Sequence, residues 1–217
     1  MVTKGQLLER PVVIPAEGGA CLDGIFLRGS APPLLCASPL PGTGGSMLSP
    51  VMNELAYAAA WCGRGSLRLD YRGVGASEGQ LTPGLEPALQ DLTHGLTHLL
   101  ESIPDAARLA LGSFDTGCWA ALALARRDPR VDRLVLVCPP EEPLAGAPSW
   151  TEVELPTLLV VPVPDPERDL REVRERWRRG APHVRVELVR SEDRSLRQGL
   201  GALQRLVPPF LGAERRE

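Results

Sequence analysis

The sequence predicts one α/β domain in which a mostly parallel sheet is covered by helices on both faces. Short apolar runs alternate with segments of helical periodicity at least four times along the 217 residues. Parallel strands need crossover connections, usually helices, so this alternation favours a doubly covered sheet. Two apolar runs on either side of the turn PAEGGA indicate an opening hairpin. The length suits a single domain spanning residues 1–217.

Each element follows from the spacing of apolar residues and from the turn residues beside it. In chain order, the predicted strands are 11–14, 21–27, 33–37, 66–69, 107–111, 131–138, 157–163 and 184–189. The predicted helices are 47–61, 85–100, 116–127, 167–179 and 195–210. We expect Asp91 and His94 on the polar face of the second helix, and a late break of the last helix at Pro208 and Pro209. The longest irregular stretch, 139–155, is too short for a large lid domain.

Composition argues against several classes of function. The net charge of −3 and the aromatic content of 4% argue against a nucleic-acid surface. The five cysteines are scattered without a CxxC pair, so we expect no disulfide framework, metal site or cofactor. No apolar run reaches the length of a membrane span, and the first residues do not look like a signal peptide. We therefore expect a cytoplasmic protein without membrane contact.

Three segments together resemble one family. They are PGTGGSM (41–47), LRLDYRGVGASEG (67–79) and LALGSFDTGCWAALALA (109–125). The chain resembles the small lidless α/β-hydrolases related to dienelactone hydrolase, and within them short bacterial hydrolases with a GGxM loop and an RxDYRGVGxSxG loop. The resemblance implies the α/β-hydrolase fold with no lid domain. Members carry a G-x-S-x-G turn between a strand and a helix, which raises the serine above the sheet edge.

The positions that match the catalytic residues of that family hold other residues here. The elbow pentapeptide is 113–117, with Asp115 at the nucleophile position and the last glycine kept as Gly117. The oxyanion-loop positions correspond to Leu40, from the loop after the third strand, and to Thr116. The resemblance places Arg194 where the histidine stands and Asp165 where the acid stands, with Glu167 as the next match.

No histidine is expected to replace the missing base. His94 and His98 lie on one predicted helix that packs outside the sheet, and His183 precedes the last strand. Active sites of open α/β sheets lie at the opposite, carboxyl edge. Haloalkane dehalogenases and epoxide hydrolases of the same superfamily use an elbow aspartate as the nucleophile, but a histidine-activated water then hydrolyses their ester intermediate.

Two interpretations stay open for each replaced residue. Asp115 either caps the helix that follows it or takes part in chemistry or binding. Arg194 either forms an ion pair with Asp115, with Asp165 alongside, or is a solvated arginine of a charged loop. Ser113, Cys118, Cys36 and Cys138 are weaker nucleophile candidates, expected to be packed. Asp70 and Arg72 are expected to fix the loop that follows their strand, and that loop lacks the Lys-Ser/Thr of a phosphate-binding motif.

Two functions follow as hypotheses. The first is a non-catalytic protein of this fold that binds a protein partner or a small-molecule ligand, with a homodimer as one form of assembly. The second is an unconventional hydrolase of small esters, thioesters or lactones that acts through Asp115, or through a water held by Asp115 and Asp165. The fold alone does not choose between them.

Overall fold

The computed structural model describes residues 9–142, 144–164 and 170–212. Its strands are β1 (Glu9–Pro15), β2 (Cys21–Leu27), β3 (Ser30–Ala37), β4 (Arg64–Leu69), β5 (Leu109–Phe114), β6 (Val131–Val137), β7 (Thr157–Val163) and β8 (Val184–Arg190). Its helices are α1 (Pro50–Trp61), α2 (Leu85–Ser102), α3 (Gly117–Arg127), α4 (Leu170–Arg178) and α5 (Leu200–Phe210). Each predicted element is present; β2 and β7 have the predicted bounds, and the others are shifted at one or both ends.

The strands form one sheet in the order β1-β2-β4-β3-β5-β6-β7-β8. The opening hairpin pairs antiparallel, with Glu9 opposite Leu27, and β2 also pairs antiparallel with β4. The pairs from β4 to β8 are parallel. The predicted opening hairpin and mostly parallel sheet are therefore confirmed. Since β5 lies between β3 and β6, the carboxyl ends of these three strands meet at the middle of one edge.

Helices cover both faces of the sheet, as predicted. Along β3, Leu34 and Cys36 pack into the core beneath α1 and α5, whereas Leu35 and Ala37 pack into the core beneath α2, α3 and α4. All four side chains are fully buried. A strand that is buried on both faces has a continuous apolar sequence, which is why PLLCA lacks the alternation of a half-exposed strand.

The last helix ends at residue 210 as predicted, but it starts later than predicted and is not broken by its prolines. It begins at Leu200 rather than at residue 195, because Leu196 takes a left-handed backbone (φ 56°) and the Gly199 N–H closes a turn on its carbonyl. The predicted break at Pro208 and Pro209 is wrong, since α5 continues to Phe210. These prolines lie in its last turns, where Pro208 is buried and the N–H of Leu211 still bonds to the Val207 carbonyl.

The prediction that Asp91 lies on the polar face of α2 is wrong. Its side chain is fully buried, whereas His94 is half-buried. The carboxylate accepts hydrogen bonds from the Arg72 backbone N–H at 2.9 Å, from Nε at 2.9 Å and from Nη2 at 2.6 Å. A buried carboxylate is tolerated here because a guanidinium and a backbone donor satisfy it.

The connection between β6 and β7 packs beside α4. Trp150 stacks on Trp177 with ring centroids 5.5 Å apart, and its indole N–H donates to the Trp177 carbonyl. The described part of the chain therefore has no lid domain, as predicted. None of the helices described combines the length and the apolar character needed to span a lipid bilayer.

Candidate functional site

A sharp turn between β5 and α3 places Asp115 at the carboxyl edge of the sheet. Asp115 takes a left-handed backbone (φ 49°), a conformation that aspartate tolerates better than most residues. Its N–H donates to the Val137 carbonyl at 3.0 Å, and its carbonyl accepts from the Cys118 N–H. Gly117 is required next to it, because a Cβ there would lie 2.3 Å from the Ser38 carbonyl oxygen. This is the geometry of a nucleophile elbow with a carboxylate at its apex.

Asp115 does not cap α3, so that interpretation is wrong. The residue at the N-cap position is Thr116, and its side chain makes no capping hydrogen bond. The left-handed backbone of Asp115 explains the difference, because an N-cap residue normally has an extended backbone from which its side chain reaches the first helical N–H groups.

The Asp115 carboxylate forms an ion pair with Arg194 from the loop after β8. Arg194 Nη2 lies 3.1 Å from Asp115 Oδ1, and the two side chains are 51% and 35% exposed. The same Nη2 donates to the Cys138 carbonyl at 2.6 Å. Cys138 has a left-handed backbone (φ 51°) at the end of β6. One guanidinium nitrogen from the loop after β8 therefore bonds to the residues that follow β5 and β6, and Arg194 is not a freely solvated arginine.

Buried neighbours fix the loop that carries Arg194. Ser191 and Leu196 are almost completely buried, and the Ser191 hydroxyl donates to the Asp193 carbonyl at 2.9 Å. At Gly199, a Cβ would lie 2.5 Å from Val189 Cγ1, so glycine permits the close approach of this loop to β8. The guanidinium consequently reaches the elbow from a loop that is anchored on both sides.

The two predicted oxyanion-loop residues are hydrogen-bonded to each other. The Leu40 N–H donates to Thr116 Oγ1 at 2.9 Å. Thr43 Oγ1 donates to the Leu40 carbonyl at 2.7 Å and lies 3.0 Å from Thr116 Oγ1. Thr43 is not among the predicted site residues. The one sequence signal for it is a hydroxyl residue within the glycine-rich loop PGTGG.

Asp70 and Tyr71, which follow β4, hold the neighbouring loops by hydrogen bonds. The buried Asp70 carboxylate accepts the Met47 N–H at 2.7 Å, which ties the segment before α1 to β4. Burial raises the pKa of Asp70, and the Met47 N–H opposes that rise. Tyr71 donates its hydroxyl to the Ser38 carbonyl at 3.0 Å. Asp70 therefore fixes the loop before α1, and Arg72 fixes its own loop through its bonds to Asp91, as expected.

The weaker nucleophile candidates are buried. Ser113 is fully buried, and its hydroxyl faces Cys118 Sγ at 3.3 Å. Desolvation raises the pKa of the Cys36 and Cys118 thiols to about 12 and raises that of Cys138 still further. Thiols with such pKa values carry almost no thiolate at neutral pH, so they are poor nucleophiles.

Histidines lie away from the elbow. His183 stands before β8, and its Nε2 is 3.1 Å from the Trp150 carbonyl. His94 and His98 lie on α2, and no histidine within the described residues is hydrogen-bonded to Asp115 or Ser113. Asp165 and Glu167, the residues matched to the family's acid, lie outside the described residues. The ranges described contain no group of three His, Cys, Asp or Glu side chains that could hold a metal ion.

A cleft of about 210 Å³ opens beside Arg194, between α4 and the carboxyl ends of β7 and β8. Val161, Val173 and Trp177 supply apolar walls. The polar walls carry charges of both signs, from Glu141, Arg176, Glu192, Asp193 and Arg194. No sequence signal indicated this cleft, because its walls depend on how β7, α4 and the loop after β8 pack together, which no local pattern shows. Its mixed lining suits a small molecule with one polar end.

Some known proteins match the chain in sequence over about half its length. The chain is 33% identical over 129 residues to the thiohydrolase apmlB of Arthrinium phaeospermum, an alignment that covers 56% of this chain and 42% of that protein. The chain spans less than half the length of the curated relatives it matches. No protein-family model matches the chain.

Solved structures match the chain over almost its whole length. A serine hydrolase homologue from Coxiella burnetii aligns with a TM-score of 0.75 at 21% identity, covering 97% of this chain and 99% of its own. XC6422 from Xanthomonas campestris, a serine hydrolase without a lid, aligns with a TM-score of 0.74 at 20% identity, covering 94% of each chain. The chain therefore has the lidless α/β-hydrolase fold.

Proposed function

We propose that this chain is a non-catalytic protein of the α/β-hydrolase fold, and that it binds a small molecule or a protein partner at the edge around Asp115. The observation that carries the proposal is the position of Arg194. Its guanidinium contacts the elbow residue from the loop after β8, where acyl transfer by a serine nucleophile requires a base. Arginine stays protonated in proteins and cannot accept a proton.

The elbow carboxylate is also poorly suited to attack. Asp115 Oδ1 accepts a hydrogen bond from Arg194, which stabilises the negative charge that a nucleophile would have to give up. An ester formed on Asp115 would need an activated water for its hydrolysis. No histidine bonds to the elbow within the described residues, so turnover would stop at that ester.

The cleft beside Arg194 supports a binding role. It offers a partly apolar volume of about 210 Å³ that Arg194 helps to line. A carboxylate or carbonyl oxygen of a ligand would bind the Arg194 guanidinium in competition with Glu192 and Asp193 of the same wall, while its apolar part would pack on Val161 and Trp177.

The relative named as a thiohydrolase favours a second candidate, hydrolysis of a thioester or small ester through Asp115. This candidate needs Asp115 to attack, or to hold a water, despite the ion pair with Arg194. It shares the carboxyl edge with the first proposal and differs in predicting turnover.

The purified chain tests both candidates with short p-nitrophenyl esters, acyl thioesters and a fluorophosphonate probe. We expect no labelling and no hydrolysis beyond that of the Asp115→Asn variant, which keeps a residue that tolerates the left-handed backbone. Hydrolysis that is present in the native chain and lost in Asp115→Asn would establish the second candidate instead.

Binding is measured separately by calorimetry with short acyl carboxylates. We expect saturable binding without turnover, weakened at least about tenfold in Arg194→Gln, because a charge-assisted hydrogen bond contributes ~1.5 kcal/mol or more. Glu86→Gln, which removes a carboxylate remote from the elbow, is the matched control and is expected to bind normally. If Arg194→Gln bound the ligand as tightly as the native chain does, the proposal that the ligand binds in the cleft beside Arg194 would be wrong.

A further inference from the structure

The hydroxyl groups of Thr43 and Thr116 and the backbone of Leu40 form a closed ring of hydrogen bonds. The Leu40 carbonyl has no proton, so the Thr43 hydroxyl must donate to it across 2.7 Å. Each hydroxyl has one donor, so the 3.0 Å contact between the two threonines must use the proton of Thr116. Thr116 Oγ1 in turn accepts the Leu40 N–H at 2.9 Å. The two hydroxyl protons and the Leu40 amide proton are therefore all used in hydrogen bonds within the ring.

The ring occupies one donor of the oxyanion hole. In this fold, the hole is made by the N–H of the residue after the nucleophile and by an N–H from the loop after β3. These are the N–H groups of Thr116 and Leu40. The side chain of Thr116 thus takes up the donor that would otherwise face a developing oxyanion.

We infer that Thr116 is a positioning residue that closes the oxyanion hole, with Thr43 as its support. The inference rests on the proposed function and deepens it. Loss of the serine and the histidine would then be accompanied by a third, independent change. The double substitution Asp115→Ser/Arg194→His alone would leave one oxyanion donor occupied, and freeing it would require removal of the Thr116 hydroxyl.

The neighbours of Leu40 make its N–H measurable on its own. Pro39 and Pro41 have no N–H, so Leu40 carries the one backbone amide hydrogen of residues 39–41, and its two neighbours contribute no exchange signal. Leu40 is 4% exposed, and its N–H should exchange with deuterated solvent only when the bond to Thr116 opens.

The first experiment measures hydrogen exchange at Leu40 in the native chain, Thr116→Ala and Thr116→Ser. We expect exchange about fivefold faster or more in Thr116→Ala, the factor that corresponds to one lost hydrogen bond. Thr116→Ser keeps the hydroxyl and should restore native protection. Equal exchange in Thr116→Ala and the native chain would overturn the inference.

The second experiment adds the same two changes to the variant Asp115→Ser/Arg194→His and follows fluorophosphonate labelling. We expect Thr116→Ala to speed labelling at least about tenfold and Thr116→Ser to leave it unchanged, because a freed oxyanion donor stabilises the tetrahedral adduct. Equal labelling with and without Thr116→Ala would overturn the inference. If none of the variants is labelled, the rate of hydrogen exchange at the Leu40 amide decides whether the inference holds. Labelling of the native chain would instead contradict the proposed function and leave the exchange result intact.

Discussion

Two aspartate–arginine pairs lie close to the carboxyl edge of this sheet, and they differ in burial. Asp91 is completely buried and receives three hydrogen bonds from Arg72, whose side chain is 24% exposed. Asp115 is 35% exposed and receives one hydrogen bond at 3.1 Å from Arg194, which is 51% exposed. The two pairs contain the same chemical groups, but they differ in exposure to solvent and therefore in their roles.

The buried pair serves the fold. It joins the loop after β4 to α2, and the hydrogen bond to Asp91 raises the pKa of Arg72 above its usual value. A buried carboxylate that loses its partner keeps its desolvation cost, so neither member can change alone. The exposed pair at the elbow contributes little to stability because water competes for both charges. Substitutions at residues 115 and 194 are therefore expected to leave the fold intact.

The largest expected effect is at Asp91. Asp91→Asn removes the charge and places an amide N–H₂ against the guanidinium of Arg72. We expect a loss of about 2–4 kcal/mol in the free energy of unfolding, below the full cost of a broken buried pair because Arg72 is partly exposed. Urea denaturation followed by circular dichroism measures it. Glu86→Gln, which breaks an exposed pair with Arg127, should leave the midpoint almost unchanged. A loss of less than about 1 kcal/mol in Asp91→Asn would mean that the buried pair stabilises the fold no more than the exposed pair does.

A smaller effect is expected at the elbow. Asp115→Asn should change the free energy of unfolding by less than about 1 kcal/mol, since the lost ion pair is exposed and asparagine tolerates the same left-handed backbone. Asp115→Ala should cost about 1 kcal/mol more than Asp115→Asn, because alanine at φ 49° is strained. The same urea titration compares the two variants. A larger loss in Asp115→Asn would mean that the ion pair is structural.

Sequence periodicity was sufficient for the fold but not for the surroundings of Asp91. The apolar runs predicted each strand, and the continuous apolar run of β3 is typical of a strand buried on both faces. The charge of Asp91 predicts an exposed side chain, whereas its position along the helix predicts a buried one. Asp91 lies three residues after Ala88 and four before Gly95, both on the buried face of α2. Its partner Arg72 is nineteen residues earlier, and no local rule links the two.

The site was predictable only where the resemblance supplied positions. Matching the elbow identified Asp115, and matching the loop after the last strand identified Arg194. The structure brings these residues together. The hydrogen-bonded ring was not predictable, since Thr43 and Thr116 are separated by 73 positions and their contact depends on how the loop after β3 meets the elbow. The sequence left two roles open for Asp115, and its left-handed backbone in the structure excludes the N-cap role.

The smallest expected effect separates the two pairs by their response to salt. Double-mutant cycles with Asp115→Asn and Arg194→Gln, and with Asp91→Asn and Arg72→Gln, give one coupling energy for each pair. At about 1 M NaCl the screening length falls to about 3 Å. We expect the elbow coupling to approach zero between about 0.05 M and 1 M salt, while the Asp91–Arg72 coupling keeps most of its value because solvent ions do not reach Asp91. An elbow coupling that survives high salt would mean that the Cys138 carbonyl holds Arg194 as firmly as burial holds Asp91, and that the edge is rigid despite its exposure.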